Sequence, residues 1–334
     1  MDINAPAQAP TFFDAVGISN LDDHDFPAVW RDNAYTEEIR FPYGYHRNGD
    51  EILPELAYLN FYDLNRDGDG PHGGIQGMTG SGKSCFLRAL ISGLVARYGP
   101  DKVALVLADG HGGATFLGMT DFPHTVANIH DLSGSPERVQ QLVSLLQGEV
   151  DRRQQFIVVD KQLPDIFEYR AAQQKQSGDP GWSPLPDLVV FIDECEPLLF
   201  QNPDLRDHLM SIARVGRTLG VHLILSSQFI TKLAGAGYDE AKPLFGELID
   251  QMTFKFSLTV TDGRSWRDFL GIDPPGSMVT GGGLRGKALR KFAEDTAPSE
   301  VVAFPPGDEI PVGGRFLEAV SRYAALRVMD RWEL

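Results

Sequence analysis

Residues 77–84 read Gly-Met-Thr-Gly-Ser-Gly-Lys-Ser, a set of residue types and spacing that suits binding the phosphates of a nucleoside triphosphate. The glycines let backbone N–H groups turn toward phosphate oxygens, so the main chain itself can surround the anion. Lys83 is predicted to reach the β- and γ-phosphates, and the Ser84 hydroxyl to ligate Mg²⁺. The predicted ATP-binding residues are Gly77, Met78, Thr79, Gly80, Ser81, Gly82, Lys83, Ser84 and Cys85.

The elements around this loop distinguish a phosphate-binding loop (P-loop) from a chance match in a chain with 35 glycines. Residues 73–76 are a candidate buried strand just before the loop, and residues 85–96 are a mostly apolar helix just after it. Strand, loop and helix in this order are the context that such a loop requires. The N-terminus of the helix would face the same phosphates.

A second group of candidate residues follows an apolar strand predicted over residues 188–192, which ends in Asp193 and Glu194. A carboxylate at such a strand end can hold the Mg²⁺ shell through water, so Asp193 is predicted to be a metal-site residue. Glu194 would orient and polarise the attacking water as a general base. The alternative is a pair of solvated acids at a strand end, which is less common downstream of a P-loop.

A third candidate is the polar tip of the strand predicted over residues 221–225, which continues into Ser226-Ser227-Gln228. In additional-strand P-loop ATPases, the strand after the Asp-Glu strand lies between that strand and the P-loop strand. A polar residue at its tip can then sense the γ-phosphate, and Gln228 is suited to this role. An ordinary loop is the alternative interpretation of the same residues.

Arg214 and Arg217 lie three residues apart near the end of the helix that precedes this strand. The helical period directs them away from the apolar face formed by Leu205, Leu209 and Ile212. Exposed arginines are usually solvated, and that is the simpler interpretation here. In a ring ATPase, however, this surface can meet the neighbouring subunit's nucleotide and supply a catalytic arginine finger.

The elements that must position these residues alternate between strand and helix. Apolar strands are predicted at residues 103–108, 188–192, 221–225 and 252–260, with helices between them. Ser135-Pro136 resembles a helix start, because serine caps helices and proline favours the first turn. Residues 160–187 are predicted to be a polar insertion with an exposed helix and loop. This order predicts an α/β fold with a mostly parallel sheet and helices on both faces.

Length and composition limit the number of domains and the classes of protein to which this chain can belong. We predict an N-terminal extension at 1–66 packed on the core, a P-loop domain at 67–305, and a C-terminal helix or linker at 306–334. No apolar run approaches the roughly 20 residues of a membrane helix, and no signal pattern is present. Cys85 and Cys195 are predicted to be free thiols. The net charge of −16 disfavours duplex DNA as a partner.

Several segments together resemble one family. They are Pro71-His72-Gly73 with the P-loop, Asp109-Gly110-His111-Gly112-Gly113-Ala114-Thr115-Phe116-Leu117, Pro123-His124, Gln147-Gly148-Glu149, Arg152-Arg153-Gln154, residues 214–223, Arg264, Leu270-Gly271 and Pro275-Gly276-Ser277. The chain resembles the FtsK/SpoIIIE motor family, and more narrowly the EccC/EssC ATPases of type VII secretion. The resemblance covers roughly residues 20 to 305 and is closest to the first, membrane-proximal ATPase domain of those proteins.

This resemblance implies a RecA-like, additional-strand core that forms a hexamer, with ATP and Mg²⁺ bound at its active site. It also implies further ATPase domains and membrane components as partners, small helical WxG-type proteins as secreted substrates, and a position at the cytoplasmic face of the cell membrane. The sequence differs from the family's usual pattern at two places, and both differences concern coupling between subunits more than nucleotide binding. Gly110-His111 stands where the family has Phe-Lys, and Phe229 stands where an arginine is common.

Three classes of function follow from these observations. The leading prediction is an ATP-hydrolysing motor domain for type VII protein export. A regulatory nucleotide-binding module with weak turnover is the first alternative, supported by the departures at His111 and Phe229. An FtsK-like DNA translocase is the second alternative, which the acidic charge and the lack of a basic arm disfavour.

Overall fold

The structure is a computed structural model that describes residues 10–62, 64, 68–176, 181–182, 184–228, 230, 242–260, 263–273, 286–304 and 314–329. For residues 242–245 and 263–264 it describes the backbone alone. Three features named above, namely Phe229, Pro275-Gly276-Ser277 and the predicted boundary at residue 66, lie outside these residues, as does the side chain of Arg264. Among the described residues, no helix is both long and apolar enough to cross a bilayer.

The described strands form a single ten-stranded sheet. The strands are β1 (Arg40–Asn48), β2 (Glu51–Asn60), β3 (Gly73–Gln76), β4 (Val103–Asp109), β5 (Thr125–Ile129), β6 (Asp187–Asp193), β7 (Val221–Ser227), β8 (Phe254–Ser257), β9 (Lys287–Phe292) and β10 (Ser299–Ala303). The helices are α1 (Phe12–Val16), α2 (Phe26–Asn33), α3 (Lys83–Arg97), α4 (Pro136–Gln154), α5 (Ile166–Lys175), α6 (Cys195–Gln201), α7 (Pro203–Leu219), α8 (Lys242–Asp250), α9 (Gly263–Leu270) and α10 (Arg315–Ser321).

The sheet order is β2-β1-β10-β9-β8-β3-β7-β6-β4-β5. The strands from β8 to β5 in this order are all parallel, whereas β9, β10, β1 and β2 add antiparallel pairs at one side. The predicted α/β fold with a mostly parallel sheet is therefore confirmed. The expected order is also confirmed, because β7 lies between β6 and the P-loop strand β3.

Two apolar clusters cover the two faces of the sheet. Strand β4 contributes side chains to both clusters. Val103, Leu105 and Leu107 lie in the cluster that includes α3, while Ala104 and Val106 lie in the cluster that includes α4 and α7. Successive side chains of a strand point to opposite faces, so an unbroken apolar strand indicates burial on both. Ser135 caps α4 as predicted, because its hydroxyl accepts from the Arg138 N–H.

The section before residue 62 contributes two strands and two helices, although its sequence shows no clear helical period. Strand β1 pairs with β10, with Tyr45 opposite Val302, so β1 and β2 belong to the common sheet. Five consecutive residues of β1 are buried, which removes the alternation that would have revealed a strand. On α2, the indole N–H of Trp30 donates to the Val95 carbonyl of α3 at 3.0 Å. The domain boundary at residue 66 stays a prediction.

Near the C-terminus, α10 packs into the same core as α3. Phe316 and Val320 are fully buried, and the Phe316 ring lies 5.2 Å from that of Phe12 in an edge-on contact. This packing is the arrangement expected of a terminal core helix. The insertion at residues 160–187 contains α5, which buries Ile166 and Tyr169 rather than lying wholly on the surface. Neither Cys85 nor Cys195 is part of a disulfide, in agreement with the predicted thiols.

Candidate nucleotide-binding and hydrolysis site

The predicted ATP-binding loop connects β3 to α3 at the carboxyl edge of the parallel strands. Gly80 and Gly82 have φ angles of 85° and 96°, a left-handed conformation that side-chain-bearing residues rarely adopt. A Cβ at Gly77 would lie 2.6 Å from Ser81 Oγ and 2.9 Å from Leu258 Cβ, so a larger residue there would force these neighbours to shift. Helix α3 has no side-chain cap at its N-terminus. Its first N–H groups can therefore donate to an anion such as a phosphate.

Lys83 begins α3 and is nearly buried between two acids. Its Nζ lies 3.0 Å from Oε1 of Glu194 and also contacts Oδ1 of Asp193. Burial opposes the charge of the ammonium, but the two carboxylates outweigh this effect, and the pKa of Lys83 is raised. The lysine is therefore a permanent cation at physiological pH, as binding phosphate requires.

Asp193 ends β6 and accepts hydrogen bonds on both carboxylate oxygens. Oδ1 accepts from Lys83, from the Ser226 hydroxyl and from the Glu194 N–H, the last at 2.9 Å. Oδ2 accepts from the Thr115 hydroxyl at 2.7 Å. These contacts hold the carboxylate of a side chain that is only 3% exposed.

Ser84, the second residue of α3, is connected to the same carboxylate through Thr115. Its Oγ lies 3.1 Å from Oγ1 of Thr115, which in turn contacts Asp193. Hydroxyl and carboxylate oxygens are the ligands that Mg²⁺ prefers, and Mg²⁺ usually keeps several waters beside one or two protein ligands. Among the described residues, no group of three or more His, Cys, Asp or Glu could hold a metal. The residues present thus fit a Mg²⁺ shared between protein, water and phosphate.

Glu194 occupies a strained backbone position between β6 and α6. Its φ of 53° and ψ of 43° are left-handed, which costs a non-glycine residue about 1–2 kcal/mol. Its carboxylate remains partly exposed, at 19%, while that of Asp193 is buried. The backbone after β4 passes close by, since a Cβ on Gly110 would lie 2.9 Å from the Glu194 carbonyl oxygen. An observed backbone outlier at a carboxylate beside a P-loop lysine is typical of a functional position.

The remaining predicted site residues lie in two places. Gln228 follows β7, and its Oε1 accepts from the Thr79 hydroxyl of the P-loop at 3.4 Å. Arg214 and Arg217 lie on the exposed surface of α7, where Nη2 of Arg214 is 3.5 Å from Oε2 of Glu247. The structure therefore brings Gln228 to the loop, while a role for the arginines at a neighbouring subunit stays a prediction.

Two further contacts in the site were missed by the sequence analysis. Thr115 and Ser226 both donate to Asp193, although neither lies in the P-loop or the Asp-Glu pair. Their positions along the chain were the one sign of this role. Thr115 follows β4 and Ser226 lies near the end of β7, and these are the two strands that flank β6 in the sheet. Hydroxyl residues are so common at strand ends that only the strand order singles these two out.

Comparison with known proteins gives the family. Residues 60–231 match the FtsK/SpoIIIE family. This chain belongs to that family. The FtsK/SpoIIIE match includes the P-loop, Asp193, Glu194 and Gln228 within its bounds, and it confirms the resemblance stated from the sequence motifs.

Within the FtsK/SpoIIIE family, the chain is similar to type VII secretion proteins. It is 34% identical over 263 residues to the ESX-1 secretion system protein EccCa1 of Mycobacterium tuberculosis, covering 76% of this chain and 33% of that protein. It is 37% identical over 213 residues to EccC4 of the ESX-4 system of the same species, covering 64% and 17%. The chain therefore spans a third or less of the length of these relatives.

A solved structure of a type VII secretion protein is also similar to this chain. The cytoplasmic domain of the Thermomonospora curvata type VII secretion ATPase EccC superposes with a TM-score of 0.80 at 27% identity, covering 98% of this chain and 35% of that one. The predicted RecA-like P-loop ATPase fold is thereby confirmed. The M. tuberculosis relatives are named ESX secretion system proteins, and the T. curvata protein is named a type VII secretion ATPase.

Proposed function

We propose that this chain binds Mg-ATP and hydrolyses it with an activated water. The observation that carries the proposal is the convergence of Lys83, Ser84, Asp193 and Glu194 at the carboxyl ends of β3 and β6. Ligands of open α/β sheets bind at this edge. Family membership supports the same chemistry, because the similar T. curvata protein is itself named an ATPase.

Each residue has a role that its surroundings support. Lys83 and the N–H groups of the P-loop bind the phosphates, and Ser84 with Asp193 would hold Mg²⁺, directly and through water. Mg²⁺ would neutralise charge on the phosphate oxygens. Glu194, whose carboxylate is partly exposed beside Lys83, orients a water and accepts its proton. Gln228 senses the γ-phosphate from the tip of β7.

We propose further that the chain is one motor domain of a type VII secretion machine at the cytoplasmic face of the cell membrane. Its relatives are ESX and EssC secretion proteins of which it matches a third or less. Its partners would be further ATPase domains, membrane components and secreted WxG-type proteins. Assembly would be hexameric, with Arg217, and less directly Arg214, acting at the neighbouring subunit's nucleotide.

The test compares Glu194→Gln with Glu196→Gln, the same change two residues further along the chain. ATP affinity is measured with a fluorescent analogue, and phosphate release is measured over a series of protein concentrations. Glu194→Gln should bind ATP and lose at least about 100-fold in turnover, since general-base catalysis contributes about that much or more. Glu196→Gln should keep its turnover.

Turnover that rises with protein concentration and disappears in Glu194→Gln would support a motor that requires assembly. Retained turnover in Glu194→Gln would remove this glutamate from the role of general base. Tight Mg-ATP binding without turnover at any concentration would replace the motor with a regulatory module.

A further inference from the structure

Thr115 lies between the two residues assigned to Mg²⁺. Its Oγ1 donates to Oδ2 of Asp193 at 2.7 Å and lies 3.1 Å from Oγ of Ser84. The threonine is 6% exposed, so this hydroxyl is in the wall of the site rather than in solvent. Since Lys83, Ser226 and the Glu194 N–H contact the other carboxylate oxygen, Thr115 alone of these donors connects Asp193 to Ser84.

One anchor of Thr115 is helix α3. Arg88 lies four residues after Ser84, on the same face of the helix. Its Nη1 donates to the carbonyl oxygens of Thr115 and Leu117, each at 3.0 Å. The helix that carries the Ser84 hydroxyl thus also fixes the backbone of the residue that contacts it.

The second anchor is strand β4. Asp109 ends β4 directly opposite Asp193 in the parallel pairing with β6. The Asp109 carboxylate accepts from the His111 N–H at 2.8 Å, which begins a tight return of the chain. Gly112 and Gly113 have φ angles of 64° and 71°, so the turn needs glycine at these positions. Because of this turn, Thr115, the last residue of the segment 109–115, lies beside Asp193 at the end of β6.

We propose that Thr115 is a positioning residue for the metal, holding Ser84 and Asp193 at the spacing from which they share one Mg²⁺ shell. The inference rests on the proposed Mg-ATP site and adds a residue outside the P-loop and the Asp-Glu pair. Without this hydroxyl, the exposed Ser84 side chain is free to change rotamer, and Oδ2 of Asp193 loses a hydrogen bond. Phosphate binding through Lys83 and the loop backbone would be unaffected.

The experiment titrates Mg²⁺ against binding of a fluorescent ATP analogue to the full chain. Thr115→Val keeps the shape and removes the hydroxyl, whereas Thr115→Ser keeps the hydroxyl. Thr125→Val is the matched control, because Thr125 is also buried and donates to a backbone carbonyl, that of Met119, at 2.8 Å. Circular dichroism and the melting temperature establish that each variant is folded.

In Thr115→Val, the affinity for the analogue in EDTA should match that of the unsubstituted chain. The Mg²⁺ concentration for half-maximal enhancement should rise about tenfold or more, as expected for losing one hydrogen bond to a charged group. Thr115→Ser should restore the original midpoint, and Thr125→Val should leave it unchanged. A purely structural role for Thr115 would instead lower stability in both valine variants and move neither midpoint.

An unchanged Mg²⁺ midpoint in a folded Thr115→Val would overturn the inference while leaving the nucleotide site intact. If Thr115→Val does not fold, Thr115→Ala is measured in the same titration, and an unchanged Mg²⁺ midpoint in that variant would likewise overturn the inference. If the unsubstituted chain binds no nucleotide, with or without Mg²⁺, the proposed function fails and this inference fails with it.

Discussion

Nζ of Lys83 lies 3.0 Å from Oε1 of Glu194, so the proposed phosphate-binding cation and the proposed general base form an ion pair. In the proposed mechanism both groups act elsewhere when ATP is bound, Lys83 at phosphate oxygens and Glu194 at a water. The pair therefore holds the two side chains in place while binding of substrate requires Lys83 to change partners. This relationship links affinity for ATP to the charge at position 194.

Lys83→Met should abolish high-affinity ATP binding, whereas Glu194→Gln should bind ATP at least as tightly as the unsubstituted chain. The methionine removes charge-assisted contacts worth about 1.5–3 kcal/mol each, which predicts a loss of at least about 100-fold if two are made. The neutral amide competes less with phosphate for the lysine. Titration with a fluorescent ATP analogue measures both, with Lys291→Met on β9 as a control. Weaker binding in Glu194→Gln would contradict the proposed exchange of partners.

Arg217→Ala should leave ATP binding unchanged and remove only the part of turnover that depends on protein concentration. Its position on the exposed surface of α7 suits contact with a neighbouring subunit. Arg214→Ala is the comparison, and it should change the free energy of unfolding by less than about 1 kcal/mol, because its pair with Glu247 is exposed. Turnover is measured against concentration for each variant. Loss of turnover in a dilute, monomeric Arg217→Ala sample would exclude a role between subunits.

Arg153→Lys should destabilise the fold by about 3 kcal/mol, while Arg152→Lys should cost less than about 1 kcal/mol. The Arg153 guanidinium is fully buried and donates to Glu149 at 2.7 Å. It also donates to three backbone carbonyls, those of Leu219, Gly220 and Pro186. A lysine cannot reproduce that fork of donors, so buried acceptors would be left unpaired. Urea unfolding of the two variants is the measurement, and equal effects would refute the argument.

Asp69→Asn should stabilise the protein at neutral pH and have little effect near pH 4. Burial raises the pKa of Asp69 from 3.8 to about 6, although its Oδ2 accepts from the Asn60 N–H at 2.7 Å. Between pH 3.8 and about 6, the Asp69 carboxyl is protonated in a larger fraction of folded chains than of unfolded chains. Stability contributed by this group is therefore lost as pH rises from about 4 to 6, with an upper bound of about 3 kcal/mol.

The measurement is the free energy of unfolding of Asp69→Asn and of the unsubstituted chain from pH 4 to pH 8. The difference should grow in favour of the variant as pH rises and become constant above about pH 7. The exposed Asp32→Asn controls for the loss of one carboxylate from an acidic protein. A difference between the chains that does not vary with pH would show that burial of Asp69 has no such effect.

Prediction from the sequence succeeded where a local pattern carries the structural meaning. The P-loop is contiguous, and its glycines report a backbone conformation that few other residues adopt. The apolar run before Asp193 predicted a strand buried on both faces, and the ladder with β4 and β7 has this arrangement. Strands β1, β2, β9 and β10 were not predicted. β1 and β2 are neighbours in sequence and pair with each other, but five consecutive buried residues in β1 replace the alternation that would indicate a strand. The pairing of β1 with β10, in turn, joins distant parts of the chain. Residues 44 and 303, for example, become neighbours only in the sheet.

By itself, the sequence determined the residue types of the site, the strand–loop–helix around Lys83 and the carboxylates that follow a buried strand. Each of these depends on periodicity and side-chain chemistry over a few residues. Only the tertiary structure decided that Thr115 and Ser226 meet Asp193, and that Lys83 is paired with Glu194. Those contacts depend on strand order and register, which bring together residues 33 to 111 positions apart, and no local pattern encodes a separation of that kind.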